Sequence, residues 1–398
     1  MLLPLVLALT LLTDSGSEWV TDPVQAPGIS HVIMHSETLG EEVSFHVYLP
    51  DAYHKSPDSD FPVLYWLHGG SEQTTAGISF MAGHFTAMIA DGEAPPMIVV
   101  FPHGRPFGMW VDSKDGRSPV ESILMEDIIP WVDEHYRTIA EAGGRLIEGW
   151  SMGGYGAARL GLRYHDRFAG FSMGGAGPVR LDFLEDATLL VPLERRKMIF
   201  EEIFGNDTTY YVTQNPWHIA GEMAGILPEG WPVRIAVGTD DPMLADNRAF
   251  SEHIAGLGIA HSYLEIPGVA HEPVRVRQFL AENDPGFYTR VFQAVLTSSE
   301  SGLERSPDQG PEGFRLLPNY PNPFNPQTIL TYELGWTTGV RIDVHDAAGR
   351  RIRRLYDGVR PAGRHEIVFN AQNLSSGVYL YRIYTDTVTM NGRMLLVR

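Results

Sequence analysis

The feature that most constrains the fold is an alternation between short apolar β-type runs and longer helical stretches. It extends from about residue 29 to residue 298. Strands that are apolar on both sides must be covered on both faces, and intervening helices favour parallel connections. The pattern therefore predicts an α/β fold with a mostly parallel sheet. The β-type runs include Val43–Leu49, Val63–Leu67, Met97–Phe101, Leu146–Glu148, Ala169–Met173 and Val233–Val237, and the helical stretches include Ser122–Tyr136, Gly154–Tyr164 and Asn247–Gly256.

The sequence changes in character after residue 298. Residues 299–312 are rich in serine, glycine, proline and charge, lack hydrophobic periodicity, and predict a linker. From Gly313 to Arg398 only short β-type runs follow, separated by turn signals. In one run Val340, Ile342 and Val344 alternate with Arg341, Asp343 and His345, which predicts one buried and one solvent-facing side. We expect an α/β domain over 19–298 and a small antiparallel β-sandwich over 313–398.

The chain begins with an apolar segment. Residues 2–12 form an unbroken apolar run, too short to span a bilayer, which takes about 20 residues. The run and the polar residues after it predict a secretory signal peptide over residues 1–18, and therefore export. Because no lysine or arginine precedes the run and no A-x-A site follows, an ordinary buried helix is the alternative.

Charge and residue content exclude several classes of function. A formal net charge of −19 argues against nucleic acid or an anionic membrane as partner, since phosphate binding needs clustered lysine and arginine. The absence of cysteine excludes disulfides, thiolate metal sites and cysteine nucleophiles. No H-E-x-x-H spacing occurs, so we expect neither a metal nor another cofactor.

Two segments match the G-x-S-x-G pattern of a nucleophile elbow, centred on Ser151 and Ser172. Ser151 follows a β-type run and precedes a good helix, the context in which an elbow presents its serine. Ser172 is followed by three glycines and a proline, where no helix can start. We therefore predict Ser151 as the nucleophile and Ser172 as a buried strand residue.

A serine nucleophile needs a histidine base oriented by a carboxylate, and in this fold both follow the serine along the chain. The run Val233–Val237 leads to Asp240 and Asp241, and the next β-type run leads to His271. These residues follow strands at the sheet edge where α/β proteins place their sites. We predict His271 as the base and Asp241 as the acid, with Asp240 and then Asp246 as alternatives. His261, which precedes its strand, and His253, within a helical stretch, are predicted to be structural or surface residues.

The tetrahedral intermediate also needs backbone N–H donors around its oxyanion. The amide of Met152, directly after the nucleophile, is one candidate, and the glycine loop after Val63–Leu67 offers the other at Gly70. His68 in that loop is predicted to brace it. Trp150 and Trp110 are candidates for substrate contact, and residues 178–230 are expected to cover the site and shape the pocket.

Five segments of the sequence are together more specific than any single motif. They are Phe61–Gly70, Met125–Thr138, Gly149–Ala157, Gly238–Asp241 and Pro267–His271. They resemble an esterase family close to esterase D and to the feruloyl and acetyl-xylan carbohydrate esterases. The resemblance covers about Ser36 to His271 and implies an α/β-hydrolase fold and a serine esterase that uses Ser151, Asp241 and His271. Two departures from the family pattern, Trp150 beside the nucleophile and Glu272-Pro273 after His271, remove no catalytic atom but leave the substrate open.

The C-terminal segment resembles a different family. Leu317–Pro326 near its start and Ser376–Arg382 near its end are similar to the type A sorting domain of the type IX secretion system. That resemblance implies passage across both membranes of a diderm bacterium by the type IX machinery, to the cell surface or the medium.

The resulting hypothesis is an exported serine esterase that removes feruloyl or acetyl groups from a polysaccharide or its fragments. A second hypothesis keeps the site but changes the substrate, to a siderophore, lipid or other small ester, or makes the chain an acyltransferase. A third is a surface protein that binds glycan without turnover.

Overall fold

This computed structural model describes residues 18–177, 179–185, 190–300, 314–316, 319, 321–322, 324–334, 337–346, 350–385 and 389–397. Residues 1–17, nearly all of the predicted signal peptide, lie outside the described residues, as do residues 301–312 of the predicted linker. The chain divides into two compact units, Met1–Ser298 and Ser299–Arg398.

The first unit contains an eight-stranded sheet of order β1-β2-β4-β3-β5-β6-β7-β8. Strands β1 and β2 pair antiparallel, β2 pairs antiparallel with β4, and each pairing from β4 to β8 is parallel. The predicted mostly parallel sheet is confirmed. Its strands are β1 (Ile29–Ser36), β2 (Glu41–Tyr48), β3 (Val63–Leu67), β4 (Ile98–Pro102), β5 (Arg145–Trp150), β6 (Gly170–Gly174), β7 (Val233–Gly238) and β8 (Ser262–Ile266).

Helices connect most of these strands. A π-helical segment, Ile123–Ile128, joins the helices Val120–Ser122 and Ile129–His135 into one continuous run. The predicted helices begin and end within about three residues of the observed bounds. Within the described residues, no helix combines the length and apolarity needed to cross a membrane. The helices are α1 (Asp51–Lys55), α2 (Ile78–Ala90), α3 (Val120–Ser122), α4 (Ile129–His135), α5 (Met152–Arg163), α6 (Leu193–Glu202), α7 (Thr208–Gln214), α8 (Pro216–Met223), α9 (Leu244–Gly256), α10 (Pro273–Asn283) and α11 (Phe287–Glu300).

Strand β3 shows why the central strands are apolar throughout. All five of its residues are buried. Because successive side chains point to opposite faces, Tyr65 and Leu67 enter the core on one side of the sheet, whereas Leu64 and Trp66 enter the core on the other. Burying both faces leaves the strand's carboxyl end as the place where polar groups can gather.

The second unit holds a three-stranded sheet, β13-β10-β9, and a four-stranded sheet, β12-β11-β14-β15. All their pairings are antiparallel, and one apolar core takes side chains from both sheets, so the predicted β-sandwich is confirmed. The strands are β9 (Phe314–Leu316), β10 (Gln327–Leu334), β11 (Thr338–Asp346), β12 (Arg351–Arg360), β13 (Gly363–Asn370), β14 (Gly377–Thr385) and β15 (Thr389–Leu396).

One prediction for β11 is half wrong. Val340, Ile342 and Val344 are buried as expected, but Asp343 and His345 are buried as well. Arg354 of β12 donates from Nε to Asp343 Oδ1 at 2.8 Å, so an arginine from the next strand covers this carboxylate. Polar alternation therefore marked a second face without showing that neighbouring side chains would cover it.

Candidate active site

Ser151 stands at a sharp turn between β5 and α5. Its backbone has φ 57° and ψ −119°, a conformation that non-glycine residues rarely adopt and that costs about 1–3 kcal/mol. Ser151 N–H donates to Gly174 O of β6 at 2.8 Å, which fixes the turn against the neighbouring strand. This strained strand-to-helix geometry is that of a nucleophile elbow, which exposes the hydroxyl above the sheet.

The close approach of helix α5 to the end of strand β3 explains why the second residue after the serine is a glycine. A Cβ placed on Gly153 would lie 2.0 Å from Leu67 O, well inside van der Waals contact. Helix α5 can therefore approach the end of β3 only because residue 153 has no side chain. The same approach brings Ser151 beside the loop that follows β3.

His271 and Asp241 lie in the loops after β8 and β7, and their side chains meet. The distance from His271 Nδ1 to Asp241 Oδ2 is 2.8 Å, and Asp241 Oδ1 accepts from Met243 N–H at 2.8 Å. The Asp241 side chain is fully buried, whereas that of His271 is 19% exposed. With Nδ1–H donating to the carboxylate, Nε2 of His271 is left to accept a proton.

The two loops are hydrogen-bonded to each other along their backbones. Thr239 N–H donates to Ile266 O at 2.9 Å, and Asp240 N–H donates to Val269 O at 3.0 Å. A Cβ on Gly238 would lie 1.9 Å from Val269 O, so the loops could not approach so closely with a larger residue there. The arrangement leaves Asp240 exposed and turns Asp241 inward.

Ser151 and His271 line one cavity of about 310 Å³. The hydrogen bonds of His271 among the described residues do not include Ser151 Oγ, and catalytic contacts of this kind often tighten only when substrate binds. The cavity wall is mostly apolar around the two polar groups. Its larger side chains are Trp66, Phe80, Met81, Trp150, Pro273 and Val274.

The loop after β3 runs alongside the nucleophile. A Cβ on Gly69 would lie 3.3 Å from Ser151 Cβ, and one on Gly70 would lie 3.8 Å from Met152 Sδ. Among the described residues, the backbone amides of Gly70 and Met152 donate to no protein acceptor. Met152 directly follows Ser151 and Gly70 lines the same cavity, so both amides are candidate donors to an oxyanion.

His68 holds this loop in place. Gly104 N–H donates to His68 Nε2 at 3.0 Å, so the proton is on Nδ1, which donates to Gly69 O at 2.8 Å. Burial lowers the pKa of His68 to about 4, so the ring is neutral near pH 7. The ring thus joins the loops after β3 and β4, in agreement with the predicted bracing role.

The two tryptophan candidates differ in position. Trp150 lines the cavity, with its ring centroid 4.9 Å from that of His271. Trp110 is 1% exposed, and its indole N–H donates to His68 O at 3.2 Å. Because Trp110 is buried beneath the loop and does not line the cavity, its predicted contact with substrate is wrong. Trp66 and Phe80 also line the cavity. Phe80 was not predicted, because an apolar residue of a helix signals only core packing.

The remaining candidates have structural roles. Ser172 Oγ is buried and donates to Glu148 Oε1 at 2.7 Å. His261 shares a hydrogen bond of 2.6 Å with Ser251 Oγ. His253 is half-buried and stacks on Trp217 at 4.1 Å, so it is not a free surface residue. Asp246 is buried and lies 3.6 Å from Arg180.

The expected cover by residues 178–230 is also wrong for the described part of that segment. The cavity is lined instead by residues 66–81 and 271–274, together with Trp150 and Ser151. The described part of the segment approaches the loop after β3 at Arg195, which lies 3.2 Å from Glu72 and whose guanidinium lies 4.7 Å from the ring of Phe107. Phe107 in turn faces Gly70. The described residues hold no group of three or more histidine or acidic side chains arranged for a metal.

Residues 36–255, more than half of the chain, match the family described as "Putative esterase". The chain belongs to this esterase family. The match ends before His271, so the family match does not include that residue.

Two curated relatives of this chain are named as esterases. Esterase Rv1288 of Mycobacterium tuberculosis is 27% identical over 263 residues, which cover 61% of this chain and 55% of that protein. An endo-1,4-beta-xylanase/feruloyl esterase of Xylanibacter ruminicola is 30% identical over 165 residues, 40% of this chain and 23% of that protein. The chain thus spans about half the length of the mycobacterial relative.

Solved structures show the same fold. A ferulic acid esterase superposes with a TM-score of 0.51 at 21% identity, covering 66% of this chain and 98% of that chain. An S-formylglutathione hydrolase from Agrobacterium tumefaciens gives a TM-score of 0.52 at 19% identity, covering 67% and 98%. Together with the sheet order, these neighbours confirm the α/β-hydrolase fold.

The second unit matches a different family. Residues 319–397 match the "Secretion system C-terminal sorting domain". The predicted resemblance to a sorting domain is confirmed, and the tail indicates type IX secretion to the cell surface or beyond.

Proposed function

We propose that the esterase hydrolyses carboxylic esters by a Ser151–His271–Asp241 acyl-enzyme mechanism. Ser151 Oγ attacks the ester carbonyl while His271 Nε2 takes its proton, and Asp241 stabilises the imidazolium through Nδ1–H. The amides of Gly70 and Met152 donate to the oxyanion. His271 then protonates the leaving alcohol, and a water deprotonated by His271 releases the acid from Ser151.

The observation that carries the proposal is the His271–Asp241 contact of 2.8 Å beside a strained Ser151. Each of the three residues follows the carboxyl end of a parallel strand, at the same edge of the sheet. A buried carboxylate that holds a partly exposed imidazole at the mouth of an apolar cavity has a clear catalytic use. Packing alone does not explain a serine with left-handed backbone next to it.

For the substrate, we propose an ester whose acyl group is bulky or aromatic, with feruloyl groups on polysaccharide or its fragments as the leading case. The cavity of about 310 Å³ is larger than an acetyl group needs, and it is bordered by Trp66, Phe80 and Trp150. The relative from Xylanibacter ruminicola is named as a feruloyl esterase, which agrees with this choice. Export across both membranes, through the sorting tail, would bring the enzyme to such polymers.

The experiment compares p-nitrophenyl acetate, methyl ferulate and a longer alkyl ester with the full chain and with Ser151→Ala. We expect kcat to fall on the order of 10⁶-fold in the variant, so that its turnover cannot be distinguished from background hydrolysis. Methyl ferulate should have the highest kcat/KM of the three esters. Preference for the longer alkyl ester would favour a lipid or other small ester instead.

A fluorophosphonate probe tests the nucleophile directly. The wild type and Ser172→Ala should each bind one equivalent of probe, whereas Ser151→Ala should bind none. Labelling or turnover that persists in Ser151→Ala would overturn the assignment. Saturable glycan binding without ester turnover would favour the non-catalytic alternative.

A further inference from the structure

A buried carboxylate lies beneath the site, on the strand that leads to Ser151. Glu148 is 1% exposed and stands three residues before the serine, in β5. Its Oε1 lies 2.8 Å from Arg234 Nη2 and 2.8 Å from Arg277 Nη1. An isolated buried carboxylate is costly, so these two cations account for its presence there.

The two arginines come from elements adjacent in sequence to the other members of the proposed triad, Asp241 and His271. Arg234 lies on β7, whose end leads to Asp241. Arg277 lies on α10, which begins at Pro273, two residues after His271. One carboxylate therefore contacts the elements next to all three residues, which are otherwise far apart in sequence.

Two hydroxyls complete the group. Ser172 Oγ donates to Glu148 Oε1 at 2.7 Å and accepts from Arg234 Nε at 3.0 Å. Tyr288 of α11 donates to Glu148 Oε2 at 2.8 Å and accepts from Arg277 Nη1 at 2.9 Å. The second G-x-S-x-G serine thus has a place in the molecule, as a bridge between β5 and β7.

The balance of charge keeps Glu148 ionised. Burial alone would raise its pKa, but Arg277 and Arg234, with hydrogen bonds from Ser172 and Tyr288, outweigh it and lower the pKa to about 2. The second carboxylate near Arg234 is Asp284, whose Oδ2 lies 3.3 Å from Arg234 Nη1. Charged hydrogen bonds of this kind are strong and directional, so small displacements of β7 or α10 relative to β5 are costly.

We propose that the Glu148 cluster, formed by Glu148, Ser172, Arg234, Arg277 and Tyr288, positions His271 and Asp241 relative to Ser151. The inference rests on the proposed function, because it assumes that these three residues react together. Apolar side chains of similar volume could hold the same elements at equal or greater stability. What an ionic cluster adds is one preferred geometry, and an error of about 1 Å in a reacting group can cost about 100-fold in rate.

The test uses Arg277→Met in the full chain, because Glu148 keeps Arg234, Ser172 and Tyr288 in that variant and the fold should survive. At a temperature well below the unfolding midpoint, kcat on methyl ferulate should fall about tenfold or more while KM stays within about twofold. The rate of fluorophosphonate labelling should fall in parallel, and Arg277→Lys should recover part of both. Glu148→Gln should show the same split between kcat and KM.

Asp133→Asn is the matched control. Asp133 pairs with Arg145, the first residue of β5, and this pair is also largely buried but lies at the opposite end of the strand. It should lower the unfolding midpoint and leave kcat and labelling nearly unchanged.

The outcomes separate the two proposals. If the wild type is active but Arg277→Met loses stability alone, with kcat and labelling unchanged, the positioning role is wrong and the proposed function stands. If the wild type neither turns over esters nor binds the probe, the proposed function fails and this inference falls with it.

Discussion

At the residue scale, Asp240 and Asp241 show how one position decides a role. They are adjacent in sequence, yet Asp241 is 4% exposed and contacts His271, whereas Asp240 is exposed. The difference follows from the backbone of the loop, in which Asp241 N–H bonds back to Gly238 O. Neither residue type nor local pattern separates them.

The adjacent pair provides a prediction with its own control. Asp241→Asn removes the charge that orients His271 and stabilises its protonated form, so kcat should fall on the order of 10⁴-fold. Asp240→Asn should retain kcat within about twofold because its side chain does not contact the histidine. Steady-state kinetics on p-nitrophenyl acetate measures both, and equal losses in the two variants would contradict the assignment of Asp241.

At the element scale, the end of β3, the turn at Ser151 and helix α5 depend on close backbone contact. The sequence predicts a strand at Leu146–Glu148 and a helix over Gly154–Tyr164, but not how near the helix comes to the neighbouring strand. That distance is set by Gly153, where the backbone of Leu67 occupies the space of a side chain.

Gly153→Ala therefore tests the packing of the elbow. The new methyl group would overlap Leu67 O, so unfolding free energy should fall by about 3 kcal/mol or more, or the esterase should fail to fold. Gly83→Ala in α2 is the control, since no atom lies within 4 Å of its added Cβ. That change should stabilise the protein by about 0.5–1 kcal/mol. Urea unfolding measures both, and similar effects would contradict the packing argument.

On the scale of the whole molecule, the first unit holds its own cores and its own cavity. Two apolar clusters pack the two faces of its sheet, and the described residues that line the cavity at Ser151 all lie between 66 and 274. The sorting unit has a separate core. We propose that the α/β domain over 19–298 is independent of the tail.

Ending the chain after Glu300 tests that independence. The shortened esterase should remain folded and keep kcat on p-nitrophenyl acetate within about twofold of the full chain. Circular dichroism and steady-state kinetics check the two parts of this expectation. Loss of activity in a folded, shortened protein would show that the tail contributes to the site.

Acid should weaken the first unit through its buried histidines. Burial, as the main cause, lowers the pKa of His46 and of His68 to about 4 from an ordinary value of 6.5. Unfolded histidines bind protons below pH 6.5 and the folded ones do not until about pH 4, so their stability contribution is complete above 6.5 and is lost as pH falls through that window. Each contributes on the order of 2 kcal/mol.

Urea unfolding between pH 7 and pH 4.5 measures this loss. Tryptophan fluorescence reports the first unit, because every tryptophan except Trp336 precedes residue 300. His46→Gln can still accept the hydrogen bond from Val24 N–H but cannot titrate, so its stability should fall less steeply with pH. A wild-type midpoint that stays constant from pH 7 to pH 4.5 would contradict the prediction.

Local periodicity and turn chemistry are enough to predict the parts of the fold that depend on neighbouring residues. Continuous apolar runs between helices are sufficient to predict a parallel sheet, and alternation predicts the sandwich. The helix after Ser151, and its absence after Ser172, separated two identical motifs. Chain order placed His271 after a strand at the same sheet edge as the serine, because parallel strands end together.

Contacts between residues distant in sequence are visible in the folded structure alone. It buried Trp110 under the loop after β3, built the cavity wall from residues 66–81 instead of 178–230, and joined Glu148 to Arg234 and Arg277. These contacts link residues tens to more than a hundred positions apart, where local patterns carry no information on distance. They depend on the close packing of helices against the sheet, and a short-range pattern of polar and apolar residues does not specify that packing.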